Sequence, residues 1–543
     1  MIYRGTIVDI HGRRLFEGEL VVEAERIARI TRIHDGDGGP PYLLPGFVDA
    51  HVHIESSMLP PDEFSRWAAI HGTIATVSDP HEIANVLGRQ GVEWMLTRAQ
   101  MAAFPIVLGA PSCVPATVFE TAGSRLDAPD VAALLALERI GYLSEVMNYP
   151  GVLAADPDLM AKIAAAHAVG KPVDGHAPGV RGEQARAYAA AGISTDHECF
   201  TLEEALDKIA AGMFILIREG SAARNFSALH PLLAQYPDRV MFCTDDLHPD
   251  ALMSGHINRI VARAVQAGYD LFDVLRAASL TPAQHYNIPI GLLRHGDRAD
   301  FIVVESLETM EVTETFIAGR CIVRNGAPQV HRIPPDSPNR WAALPVSADT
   351  FRIPAQSQRI RVIGARDGQL VTDHLIVEAP IQDGHYHPDP ENDVLLIAII
   401  NRYAPTPPAV GFVKGFGLQR GAIASSVAHD SHNIVAIGAT PEALAAAINT
   451  VIEYCGGISV CDGTHCWVLP LPIAGLMSID DGPRVAERYA DLDRRTKELG
   501  SQLRAPLMAL SFMALLVIPS LKLSDRGLFD GERFELVPLE VPD

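Results

Sequence analysis

Residues 1 to about 44 alternate apolar and polar positions, as in Gly5-Thr-Ile-Val-Asp-Ile and Glu19-Leu-Val-Val-Glu, and are closed by the turn-rich run 35–41. That pattern predicts antiparallel strands joined by tight turns. From Tyr42 to about residue 288 the rhythm changes. Short β-rich runs (Thr73-Ile-Ala-Thr-Val, Pro105-Ile-Val-Leu, Met213-Phe-Ile-Leu-Ile, Val240-Met-Phe-Cys) alternate with Ala/Leu-rich amphipathic stretches such as Val131–Ile140 and Leu202–Ala211. Strand followed by helix, repeated over about 245 residues, predicts right-handed βαβ units closing into an eight-stranded parallel barrel. The alternating β pattern returns from Gly291 to about 330, a Pro/Ser-containing stretch follows from Ile333 to Pro345, and mixed α/β material fills the rest. The expected organisation is therefore α/β: a (β/α)8 barrel over 45–288, a small β-sandwich domain built from 1–44 and 289–345, and a C-terminal α/β domain over 346–543. Strands are expected at Asp393–Ile400 and Asn433–Gly438, with a helix over Pro441–Tyr454.

Charge and composition narrow the partners. The 543 residues carry 44 Lys+Arg against 66 Asp+Glu, a net charge of -22. An acidic surface repels phosphate backbones, so a small molecule is expected as the partner and nucleic acid is not. The seven cysteines are scattered without a Cys-x-x-Cys. They read as thiols of a reducing, cytoplasmic protein. The N-terminus lacks the apolar core of a signal peptide, and the longest apolar stretch, Leu507–Ile518, is too short to span a bilayer, so no membrane is expected.

The chemistry lies where the β-rich runs end. In Pro45-Gly-Phe-Val-Asp-Ala-His51-Val-His53 the two histidines share one face of a strand and can grip one ion. Glu145, His176, His197 and the pair Thr244-Asp245 each stand at a comparable place further along. In a parallel barrel all of them are delivered to one mouth, where barrel enzymes do their chemistry. Oxygen and nitrogen ligands without a thiolate suit Fe(II), Mn(II) or Zn(II).

This constellation resembles the amidohydrolase superfamily, and within it the adenine deaminase family. The resemblance rests on PGFVDAHVHIESSML, SDPHEIANVLG, PSCVPATVFET, DGHAPG, STDHECFTLEEAL, IREGSAARN and TDDLHPD, and on GFGLQRGAIASSVAHDSHN, LPLPIAGLMS and LKLSDRGL in the last 140 residues or so. It implies two divalent metal ions held by His51, His53, Glu145, His176, His197 and Asp245, with Glu145 standing where many relatives carry a carbamylated lysine. The nearest lysines, Lys162 and Lys171, read as surface residues. It also implies attack of hydroxide on C6 of adenine, with Asp245, Glu145 and His197 as the catalytic set. Asp245 would take the proton and return it to the leaving amino group. His197 could instead polarise the ring. The neighbouring Asp246 leaves the ligand assignment to be settled by geometry. His81, Glu82, Arg218, Glu219 and Ser221 follow strand ends and are the candidates for substrate contacts, with Glu82 or Glu219 bonding a ring nitrogen. The polar run Ser425–Asn433 either caps an active site or forms a hydrogen-bonded turn. A homo-oligomer, dimer or larger, is expected. The N-terminal β segment is shorter than the resemblance leads one to expect.

Two rival readings fit the sequence less well. Hydrolysis of a cyclic amide would call for the missing lysine and leave the C-terminal region unexplained, and a metal-free scaffold would have substituted ligands. The His-x-Glu and Pro-Cys-x-x-Cys signature of the small zinc deaminases is absent.

Overall fold

The computed structural model describes residues 1–221 and 223–542. The chain divides into two compact units, one made of Met1–Pro80, Glu93–Ser112 and Asp127–Pro334, the other of His81–Val92, Cys113–Leu126 and Pro335–Asp543.

In the first unit, β1 (Ile2–Asp9), β2 (Arg14–Glu23), β3 (Arg26–Asp35) and β4 (Tyr42–Leu44) precede eight short parallel strands. These are β5 (Phe47–Val52), β6 (Thr73–Ser78), β7 (Ile106–Ala110), β8 (Ile140–Val146), β9 (Val173–Gly175), β10 (Thr195–Asp196), β11 (Phe214–Arg218) and β12 (Val240–Cys243). They pair as an arc of five, β5 to β9, and an arc of three, β10 to β12. Two seams join the arcs. Ser194 N donates to Val173 O at 2.9 Å between β9 and β10, and at the other seam Asp245 N donates to His51 O at 2.9 Å while His53 N donates to Asp245 O at 3.2 Å. The strands are buried along nearly their whole length, as parallel strands covered on both faces must be. Val48, Ala50, Ala75, Val77, Tyr142, Leu216, Met241 and Cys243 form a common apolar cluster with Tyr286 and Ile288, so the barrel is filled rather than hollow.

After the barrel come β13 (Phe301–Val304), β14 (Val312–Ile317), β15 (Arg320–Arg324) and β16 (Ala327–Pro328). They join the N-terminal strands in one continuous eight-stranded sheet, ordered β16-β15-β14-β13-β4-β1-β2-β3. Phe301 and Phe316 face each other in register, with stacked rings 4.4 Å apart and Tyr3 edge-on at 4.8 Å from Phe316. Aromatic pairs of this kind fix a cross-strand register beyond what area burial supplies.

The second unit is dominated by another eight-stranded sheet, antiparallel except at one pairing. Its central strand, Leu395–Ile400, is buried at all six positions. The helix Pro441–Glu453 packs on this sheet through Leu444, Ile448 and Val451, and Thr440 caps its start by accepting from Ala443 N at 3.2 Å. Among the described residues no helix is long and apolar enough to cross a membrane.

Four local expectations need correction. The amphipathic stretch Val131–Ile140 is split: the helix covers Ala128–Leu135, and Ile140 already opens β8. Lys162 is buried rather than exposed, its Nζ donating to Ser112 O at 3.0 Å. Lys171 spends its ammonium on the carbonyls of Leu135 and Leu137. Cys461 and Cys466 are not free thiols. They face each other across a hairpin of the second unit with Cα atoms 4.1 Å apart and are disulfide-bonded.

A pH effect follows from the barrel's own histidines. Burial pushes His285, packed on Phe214 and Tyr286, down to about 4, and burial with the neighbouring His256 does the same to His71. The unfolded chain then binds more protons than the folded one between pH 4 and 6.5, so stability is lost as pH falls through that window. His285→Phe, which keeps the ring packing, should remove about 3 kcal/mol of that pH dependence in denaturant unfolding. An unchanged slope between pH 7 and 4 would refute the assignment.

Candidate metal centre

Strand alternation sends the side chains of His51 and His53 to the same side of β5, and both are buried. His53 Nδ1 lies 3.1 Å from the carbonyl of Asp79. Donation to that carbonyl turns Nε2 towards the centre, where it meets Nε2 of His51 at 3.3 Å, Glu145 Oε1 at 3.2 Å and Asp245 Oδ1 at 3.1 Å. Glu145, near the end of β8, uses its other oxygen in the opposite direction: Oε2 lies 2.8 Å from His176 Nδ1 and 3.2 Å from His197 Nε2. The ring of His197 stacks on His51 with centroids 4.2 Å apart. One carboxylate thus stands between two sets of histidines.

The segments that carry these groups are held from behind. Gly175 ends β9 immediately before His176. A Cβ there would sit 2.5 Å from the carbonyl of Thr195 on the neighbouring strand, so only glycine allows the strands to approach. Tyr188 OH accepts from His176 N at 3.1 Å and donates to Val146 O at 2.8 Å. Asp196 accepts from Ala177 N and Glu198 N, and is itself neutralised by the fully buried Lys208 at 3.2 Å. Asp49 accepts from both Thr244 N and Thr244 Oγ1, which orients the turn into Asp245. Asp245 adopts a left-handed backbone, φ 55°, which lets its amide and carbonyl both reach β5.

Asp245, not Asp246, turns its carboxylate into the cluster. Asp246 accepts from Ser56 Oγ, and its carbonyl accepts from Ser221 N at 2.8 Å.

Electrostatics sort the members. Burial disfavours charge on all of them. At His53 the hydrogen bonds to Asp245 and Glu145 outweigh it and hold the ring well above the usual imidazole range. At His176 the charges of Glu198 and Glu145 do so, to about 9. His51 stays low because burial and the neighbouring His197 both oppose a proton. Against their own burial, Glu145 is drawn well below the carboxylate range, first by His176, and Asp245 likewise, first by Arg218. The centre is a ring of anionic oxygens and imidazole nitrogens that asks for positive charge, which fits a divalent first-row cation. The trios His51, His53, Asp245 and His51, Glu145, His197 each bring their ligand atoms within 4.8 Å of one another.

The remaining candidates fall out differently. Arg218 is buried at the end of β11, but its guanidinium is paired with Glu198 and Asp245, with Nη2 3.1 Å from Glu198 Oε2. Glu219, expected to face the pocket, does not. One residue further along the strand it points the other way, pairing with Arg263 at 2.8 Å and accepting from Phe226 N at 3.1 Å. Ser221 also ties the wall, its Oγ accepting from His248 N at 2.8 Å. His81 and Glu82 belong to the second unit, where Glu82 accepts from His429 and His432. Glu198 escaped the sequence reading although it adjoins His197. Its Oε1 is 3.5 Å from His197 Nε2 and 3.7 Å from His176 Nδ1.

Comparison with known proteins matches this arrangement at two scales. The Amidohydrolase family model covers residues 42–322, and the Adenine deaminase C-terminal domain model covers 369–535. Proteins named Adenine deaminase from Salinibacter ruber and from Sulfurovum sp. are 54% and 52% identical to the chain, over 98% and 99% of both partners' lengths. One from Methanosarcina acetivorans is 49% identical over 99% of each chain. The chain belongs to the adenine deaminase family. For this family member the eight-strand order is the key to the centre: its histidines, glutamate and aspartate come from the ends of the first, fourth, fifth, sixth and eighth barrel strands.

Gly175→Ala should therefore push β9 from β10 and displace His176 while leaving the rest of the barrel folded. We expect metal binding weakened roughly 10-fold to 100-fold in equilibrium dialysis against Mn(II), with an unchanged circular-dichroism spectrum. Native-like metal affinity would show that this close approach does not position His176.

Proposed function

We propose that the chain hydrolyses adenine at C6, giving hypoxanthine and ammonia, with the buried cluster at the barrel strand ends as its catalytic centre. The observation that carries this reading is the Glu145 carboxylate, set between two groups of histidines in a chain that matches adenine deaminases over its whole length. His51, His53 and Asp245 would hold one divalent ion, His176 and His197 a second, and Glu145 both, with Fe(II), Mn(II) or Zn(II) suited to these donors. Such ions, when bound, supply the Lewis acidity that makes water acidic enough to attack near neutral pH.

The chain's own groups then handle protons and position. Water's oxygen ends on C6, one of its protons on N1 and the other on the departing N6 nitrogen. Asp245 is the base that takes the proton from water and hands it to N6. Its pairing with Arg218 keeps it anionic before the reaction and fixes which oxygen faces the reacting atoms. Glu198 holds Arg218 from the other side and so acts on Asp245 at one remove. Arg218, with both carboxylates to satisfy, is a positioning residue rather than a hand for the substrate. The partners of Glu219 and Ser221 leave them the wall. A free-base substrate suits a cytoplasmic enzyme.

Protein grown with an iron chelator and Mn(II) should release ammonia from adenine but not from adenosine, cytosine or guanine. Release only from cytosine or guanine, or none from any base with metal bound, would overturn the proposal. His53→Ala and Asp245→Ala should both abolish turnover and lower the metal content measured by mass spectrometry.

A further inference from the structure

The polar run Ser425–Asn433 is not absorbed by the barrel chemistry, yet nearly all of its polar side chains are buried. Within the second unit it meets the helix His81–Leu87. Glu82 lies 2.6 Å from His429 Nδ1 through Oε1 and pairs with His432 Nε2 through Oε2. The tautomer of His432 is set locally, because its Nδ1 accepts from Ala428 N at 3.2 Å. The proton is therefore on Nε2 and points at Glu82. Both carboxylate oxygens are thus oriented by imidazoles, the arrangement that supports a metal-binding carboxylate from behind.

In front of Glu82 stand His81 and Asp430. His81 Nε2 is 3.3 Å from Glu82 Oε1 and 3.9 Å from Asp430 Oδ1, and one ligand atom from each of the three residues lies within 4.8 Å of the others. A separation of 3.9 Å is too long for a hydrogen bond. Ligands about 2.1 Å from one ion are about 3.0 to 3.4 Å apart when adjacent and about 4.2 Å when opposite, so both separations fall in the span of a shared cation. All three side chains are 4% exposed or less.

We propose that His81, Glu82 and Asp430 form a further binding site for a divalent first-row cation, with His429 and His432 holding Glu82 in place. One imidazole and two carboxylates, without sulfur, select Mn(II), Fe(II) or Zn(II) over the oxygen-only preference of Mg(II) and Ca(II). The ion would clamp the helix His81–Leu87 to the segment Ser425–Asn433, two stretches of the same unit separated by more than three hundred residues of chain.

The test is the manganese count of the full chain, read by mass spectrometry after growth with Mn(II) and dialysis. His81→Gln and Asp430→Asn should each remove about one equivalent relative to the unaltered protein, with the remaining ions retained. A combined His53→Ala, Glu145→Gln and His197→Ala protein, with the barrel set disrupted, should still hold about one Mn(II), visible by electron paramagnetic resonance and lost when Asp430→Asn is added. That arm decides the matter if a variant of the clamp fails to fold, and it does not depend on the deaminase reading. A combined protein that binds no manganese, or counts unaltered by both clamp substitutions, would show that Glu82 and its histidines are a hydrogen-bonded network only.

Discussion

The barrel closes on a single residue. Asp245 follows the last strand, and its amide and carbonyl both bond to the first strand, at His51 and His53. The same residue sends its carboxylate towards those two histidines. Closure of the fold and assembly of the centre are therefore one event. A left-handed backbone at a non-glycine residue costs of order 1 kcal/mol or more, and here the seam's two hydrogen bonds and the packing of eight strands offset it. Thr244, one residue earlier, is pinned by Asp49, which lies on β5 itself, so the approach to the seam is fixed from the strand it must meet.

The second constraint is charge in a dry place. Glu145, Glu198, Asp245, Asp196 and Asp49 are all buried around the strand ends. An isolated buried carboxylate would protonate rather than persist. Here each of the first four is answered by a specific cationic or hydrogen-bonding group: Arg218 for Glu198 and Asp245, Lys208 for Asp196, imidazoles for Glu145. Removing one partner of such a buried pair costs about 3 to 5 kcal/mol, because the other is left uncompensated. The catalytic arrangement is consequently rigid, and the carboxylates remain anionic ligands and bases at neutral pH.

What could be read from the chain alone follows from periodicity. His51 and His53 are recognisable because two residues apart on a strand means one face, and Glu145, His176, His197 and Asp245 because each ends an apolar run. The same rule, applied one residue further, would have turned Glu219 away from Arg218 and so from the centre. Glu198 was missed because β10 is only two residues long. No alternation can be established over so short a strand, and the signal lay instead in its adjacency to His197. Lys162 read as surface since its helix is Ala-rich, yet a long side chain can bury its stem and spend its ammonium on a carbonyl, here that of Ser112. Cys461 and Cys466 are five apart and become neighbours only through a hairpin register that spacing alone does not reveal.

Domain boundaries were the least legible feature, for a reason of topology. Residues 81–92 and 113–126 lie in sequence between barrel strands but pack with residues 335–543. Their composition does not betray this, because a helix such as His81–Leu87 can serve either neighbour. The C-terminal unit is therefore discontinuous: its polar run at 425–433 finds its partners, Glu82 and His81, in a stretch that follows β6. Asp525 reaches the backbone of Thr121 at 2.8 Å and Ser524 that of Phe119 at 2.8 Å, so the second excursion is fastened as firmly as the first. Cutting the chain near Pro335 would strip both excursions of their packing and leave Glu82 a buried carboxylate without its imidazoles. The C-terminal unit is thus not separable in sequence from the chain that carries the barrel, because two of its pieces lie between β6 and β8.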